Sequence, residues 1–133
     1  MQITRQADYA LRAVLFLSQL NGDQRASTSA IAEKQKIPPS FLAKIVSQLS
    51  IAGLIQTSRG ARGGVALAKA PEDISMLDVI EAIDGPVMLN ECAENPERCP
   101  FGITCPLQHI WHESRHELVN RLSSATFEQA KLS

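Results

Sequence analysis

Residues 37–68 read IPPSFLAKIVSQLSIAGLIQTSRGARGGVALA, and this stretch decides the fold. Ile37-Pro38 stops whatever helix precedes it. Pro39 suits the first turn of the next helix, where its missing N–H would be unpaired anyway. From there to about Ala52, Leu42, Ile45, Val46 and Leu49 recur at helical spacing, and Gly53 ends the run. The opposite face carries Ser40, Lys44, Ser47 and Gln48, short or flexible donors that can reach base edges and phosphates. Leu54–Ser58 and Val65–Ala68 then read as two short strands around Arg59-Gly60-Ala61-Arg62-Gly63-Gly64. The glycines let the backbone turn and approach a partner, while two arginines project from the tip.

Upstream, Thr4 caps a helix to about Leu20, with Ala7, Ala10, Leu11, Val14, Leu15 and Leu17 at helical spacing and Asn21-Gly22 at its end. A shorter helix begins near Ser27 or Thr28 and turns Ile31 and Ala32 inward. Two helices joined by a tight turn, the second with a polar outer face, form a helix-turn-helix, and the following hairpin forms its wing. A wing tip of this composition fits a minor groove, whose negative potential favours guanidinium. A solvated surface hairpin is the plainer alternative.

Downstream, Ala70-Pro71-Glu72-Asp73 breaks the chain. Ser75 opens a short helix carrying Leu77, Ile80 and Ile83, with Asp78 placed to complete a capping box. Asp84-Gly85-Pro86 closes it. All three cysteines follow in residues 91–109, ECAENPERCPFGITCPLQH, with six residues between Cys92 and Cys99 and five between Cys99 and Cys105. Three thiols in a Gly- and Pro-punctuated loop suit a soft metal centre better than a packing role. Pro106 starts a last helix to about Ser124, with Leu107, Ile110, Trp111, Ser114, Leu118, Leu122 and Ala125 along one stripe. Too little chain remains to cover that stripe, so the expected cover is the same helix of a second copy. His109, His112 and His116 share the opposite face, where solvated histidines are the ordinary case. Tyr9 is placed either to touch phosphate or to pack beneath the reading helix.

The formal net charge of −1 conceals a split. Residues 1–69 hold nine Lys/Arg against three Asp/Glu; residues 70–133 hold four against eleven. A basic front half suits a polyanion. The N-terminus has no signal-peptide pattern and no apolar run reaches membrane-spanning length, so the expectation is a cytoplasmic protein with no membrane partner. In that compartment an odd set of three cysteines reads as metal-binding or redox-active. The divisions expected are 1–70 for the winged head, 71–105 for a short helix and the cysteine loop, and 106–133 for the dimerisation helix and tail. The fold class is mainly α.

Taken together, TRQADYALRA at 4–13, IPPSFLAKIVSQLSIAGL at 37–54, RGARGG at 59–64, ISMLDVIEAIDG at 74–85 and the three cysteines resemble the IscR/NsrR/RirA family of bacterial winged-helix regulators. The resemblance covers nearly the whole chain. It implies an iron–sulfur cluster (2Fe–2S or 4Fe–4S) held by Cys92, Cys99 and Cys105, a homodimer through helix 106–124, and double-stranded operator DNA as partner. Cluster state would set operator affinity, making the protein a repressor-type sensor of iron or cluster status, redox or nitric oxide. It places Ser40 and Lys44 on the reading helix and Arg59 at the wing tip; the residue pattern itself adds Ser47 and Gln48 on the outer helix face, Arg62 at the tip and Arg5 beside a phosphate as further DNA contacts. For the fourth ligand it offers Asp8 of the other subunit, ahead of His109; Glu91 and Glu94 are more distant candidates.

Departures from the family pattern are specific. The six-and-five cysteine spacing differs from the five-and-five and the seven-and-five of its branches. Ala43 stands where some members use an acidic residue to discriminate bases, Pro38 offers no hydroxyl, and Gln108 occupies the position of a ligating histidine. Two other functions compete: a winged-helix regulator whose cysteines hold zinc or form a thiol redox switch, and a thiol enzyme, against which stands the lack of any base or oxyanion-hole motif.

Overall fold

The structure is a computed structural model that describes residues 2–21, 24–61, 63–90, 96–98 and 100–131. Its first helix, α1 (Arg5–Ser18), starts where the sequence places it: the Thr4 hydroxyl accepts from the Ala7 N–H at 3.1 Å. Ala7, Ala10, Ala13, Val14 and Leu17 are buried along one side. Three alanines on a buried face give α1 a narrow profile, and four helices pack against it. Ser18 is buried as well, its hydroxyl donating to the Leu15 carbonyl at 2.6 Å and so remaining satisfied.

Helix α2 (Thr28–Gln35) is capped by Ser27, which accepts from the Ala30 N–H at 3.0 Å. It buries only Ile31 and Ala32. Lys36 takes the left-handed conformation (φ 55°), and the Ile37 N–H returns to the Ala32 carbonyl at 2.9 Å. The chain thus turns within Lys36–Pro38 into α3 (Pro39–Ile51), with Pro39 at its first position. Leu42, Ile45 and Leu49 of α3 are almost wholly buried; at about 1.5–3 kcal/mol for each such side chain, they form the centre of the core. Val46, expected on the same face, is only half-buried against that core.

Strands β1 (Ile55–Ser58) and β2 (Gly64–Leu67) pair antiparallel, from Ile55 opposite Leu67 to Ser58 opposite Gly64. Ala26, in the connection before α2, adds a single rung to β2 through two backbone hydrogen bonds with Val65, of 3.0 and 2.7 Å. Gly64 makes this approach possible: a Cβ there would lie 2.8 Å from the Ala26 carbonyl oxygen.

A 3₁₀ turn (Pro71–Asp73) leads to α4 (Met76–Asp84), which begins with the expected capping box: Asp78 N–H to Ser75 Oγ at 3.1 Å, and Ser75 N–H to Asp78 Oδ2 at 3.0 Å. The core-facing pair of α4 is Val79 and Ile80. Leu77 and Ile83, read from sequence as inward, are only half-buried, whereas Val79, absent from that reading, is fully enclosed beside Ile80.

Short 3₁₀ turns at Pro96–Arg98 and Gly102–Thr104 precede the long helix α5 (Pro106–Ser124). The chain then returns to the head. Met76 N–H bonds to the Ala125 carbonyl at 2.9 Å, and Phe127 N–H to the Ile74 carbonyl at 3.1 Å. A last helix, α6 (Phe127–Lys131), seats Phe127 in the core at 3% exposure.

Candidate nucleic-acid interface and cysteine loop

Helix α3 is held from behind by its three buried aliphatics, which fixes what its front presents. Ser40, Lys44 and Ser47 are all exposed on that front, at spacings of four and three. Gln48 is half-buried instead, and its Oε1 is buried without a hydrogen-bond partner among the described residues. Arg59 is exposed at the tip of the hairpin. The tip turn is tight, with Gly60 at φ 95° and a Gly63 Cβ position that would collide with the Ser58 carbonyl. Arg62, the second arginine of the tip, lies outside the described residues.

Arg5 is exposed in the first turn of α1. It lines a shallow polar groove with Asp8, Tyr9, Arg12 and Lys36. Tyr9 is half-buried and meets Phe41 of α3 edge-on, with ring centroids 5.9 Å apart. That contact braces the start of the reading helix against α1.

Of the three cysteines, Cys92 and Cys99 lie outside the described residues, as do Glu91 and Glu94. Cys105 is a free, half-buried thiol at the N-cap of α5. A thiolate at this end of a helix faces the positive pole of the backbone dipoles. Within one chain, two of the candidate fourth ligands have neighbours of opposite character on their own helices. Asp8 pairs with Arg12 at 3.1 Å and His109 with Glu113 at 3.0 Å, each one helical turn away on its own helix. Among the described residues, no group of three metal-binding side chains comes together.

Two contacts that the sequence did not announce tie this loop to the head. Asp84, at the end of α4, accepts from Thr4 twice: from its N–H at 3.1 Å and from its hydroxyl at 2.5 Å. Thr4 is the cap of α1, so the end of α4 and the start of α1 are joined at one residue. Three residues on, Arg115 of α5 donates from Nε to the Val87 carbonyl at 2.7 Å. The segment entering the cysteine loop is thereby fixed between α1 and α5.

A helix-turn-helix whose second helix shows an outward polar face, followed by an arginine-tipped hairpin, defines a winged-helix DNA-binding protein. The model of the Rrf2 family, described as an iron-dependent transcriptional regulator, matches residues 3–131, and the chain belongs to that family. It is 34% identical over 127 residues to the HTH-type transcriptional regulator NsrR of Geobacillus kaustophilus, covering 95% of this chain and 86% of that one. Among solved structures it is similar to CymR (YrzC), the global cysteine regulator of B. subtilis, with a TM-score of 0.78, 26% identity, and coverage of 98% and 96%. It is also similar to IscR of T. potens, with a TM-score of 0.75, 26% identity, and coverage of 99% and 85%. The protein is therefore a DNA-binding transcriptional regulator and not an enzyme, which sets the thiol-enzyme reading aside. No helix among the described residues is long and apolar enough to cross a membrane.

Proposed function

We propose that this protein is a cytoplasmic, homodimeric repressor whose affinity for operator DNA is set by an iron–sulfur cluster held at Cys92, Cys99 and Cys105. The donor set fits: three thiols within fourteen residues match a centre that prefers sulfur. The observation that carries the proposal is Cys105, half-buried at the N-cap of the longest helix rather than sealed in the core. Asp8 of a second copy is the proposed fourth ligand, with His109 the alternative. When bound, a cluster supplies a cross-link whose integrity depends on iron supply, oxidants and nitric oxide.

This chain's own residues supply the response. Ordering the loop fixes the start of α5 at Cys105 and the segment before Cys92, which Arg115 and Asp84 tie to α5 and α1. The populations of head arrangements shift accordingly, and with them the fit of two α3 helices to two half-sites. On the DNA, Ser40, Lys44 and Ser47 face the major groove, Arg59 and Arg62 the minor groove, and Arg5 a phosphate.

The second reading gives the same thiols to zinc or to reversible oxidation. It is favoured by the near-equal likeness of this fold to CymR, named the global cysteine regulator, and to IscR. An absorption spectrum of protein purified without oxygen, with iron and sulfide counted on the same sample, separates the two. The expected result is a coloured protein whose iron and sulfide match. Cys99→Ala should abolish that colour and leave the winged head folded. A colourless protein that takes up no cluster on reconstitution would overturn the cluster in favour of zinc or thiol chemistry.

A further inference from the structure

We infer that Arg25 is a DNA-phosphate contact of the wing, aimed by Ser58. The inference rests on the wing reading above and extends it to a residue outside the hairpin. Ala26 pairs with Val65 through both of its backbone groups, so the connection before α2 runs as a one-residue third strand beside β2. The absence of a side chain on Gly64 lets it approach; a Cβ there would meet the Arg25 Cβ at 3.3 Å as well as the Ala26 backbone. From this position the Arg25 side chain crosses the hairpin, and Nη1 donates to Ser58 Oγ at 2.7 Å.

Ser58 is the last residue of β1. It pairs with Gly64, at the end of the ladder nearest the tip, and precedes Arg59. The Arg25 guanidinium is therefore held at the tip end of the wing, next to the arginine that enters the groove. Two features suit it to phosphate rather than to a base. Among the described residues its printed partner is a hydroxyl, which fixes the guanidinium without neutralising it and leaves its other donors for an anion. A cation beside a groove-entering tip meets the sugar–phosphate ridge that borders the groove. Arg25 is exposed, and losing its side chain opens no core. This pairing is not legible from residue order, because residues 25 and 58 meet through the tertiary strand addition at Ala26.

The test is binding to a mixed-sequence DNA duplex across a salt titration, with the wild-type protein and three variants. Loss of a phosphate contact lowers the slope of log K against log salt by about 0.9 for each head bound. Arg25→Ala is expected to show that loss, as is Arg59→Ala. Ser58→Ala keeps the charge and is expected to keep the slope while weakening binding roughly two- to three-fold, the loss of a pre-set geometry rather than of a contact. A wild-type slope in Arg25→Ala, with a reduced one in Arg59→Ala, would overturn the inference and leave the wing in place. Wild-type slopes in both would remove the wing reading itself. Unchanged affinity in Ser58→Ala would overturn the aiming role of Ser58.

Discussion

The head and the long helix are built to opposite plans. In the head, α1 and α3 alone bury Ala7, Ala10, Val14, Leu42, Ile45 and Leu49 at 1% exposure or less. In α5, nineteen residues long, no residue is buried, and Leu107, Ile110 and Trp111 stand exposed at 55%, 55% and 37%. Both carry apolar residues at helical spacing, so periodicity alone does not separate them. The difference lies in what each has to pack against. The head closes on itself, whereas the first turns of α5 carry Leu107, Ile110 and Trp111 with no cover among the described residues, as expected of a face that associates. Phe127 tests where the head ends. It follows α5 in sequence yet belongs to the head's core, through the backbone pairing of 125–127 with 74–76. Phe127→Ala should cost about 3–5 kcal/mol of unfolding free energy, the usual loss for a buried phenyl ring. Denaturant titration checks it, and a cost below about 1 kcal/mol would show that the return of the tail contributes little.

Trp111→Ala sharpens the contrast from the other side. A large aromatic at the centre of an associating stripe is the kind of residue that dominates an interface, so its loss should weaken association by about 2 kcal/mol, or roughly thirty-fold. The same change should leave the unfolding of the head nearly untouched, because Trp111 lies outside the core cluster. Sedimentation as a function of concentration gives the first quantity and unfolding of the monomeric form the second. A variant that associates like the wild type would move the interface off this stripe.

The same division explains what could be read from sequence. Features fixed within a few residues were legible: Thr4, Ser27 and the Ser75–Asp78 box as caps, Pro39 at a helix start, and the glycines of the hairpin. Each answers to local hydrogen bonding or to an allowed φ, which residue type reports directly. Contacts set by packing were not. Thr4 reads as a cap, but nothing in the sequence says that the same hydroxyl also donates to Asp84, eighty residues on. Val79 reads like any β-branched residue, yet it is fully buried in the core cluster. Gln48 reads as a surface donor, yet its Oε1 is buried. For the site the outcome is the same in kind. The outward set on α3 follows from helical phase, while the bracing of the cysteine loop by Arg115 and Asp84 depends on how α1, α4 and α5 meet.

The smallest effect is expected where the head departs from its own economy. Lys36 is the one non-glycine residue with positive φ among those described, and it sits in the turn that sets the angle between α2 and α3. A left-handed lysine costs about 1–2 kcal/mol in crowding of its Cβ against the following carbonyl. Glycine removes that cost but loses about 0.5–1 kcal/mol in backbone entropy. Lys36→Gly should therefore stabilise the head by about 0.5–1 kcal/mol, seen as a higher urea midpoint at unchanged slope. A lower midpoint would mean that the lysine stem contributes packing outweighing the strain. Either result bears first on the head, because the turn joins α2 to α3 and is closed by the Ile37–Ala32 hydrogen bond. A change in association on this substitution would break the separation of the two regions.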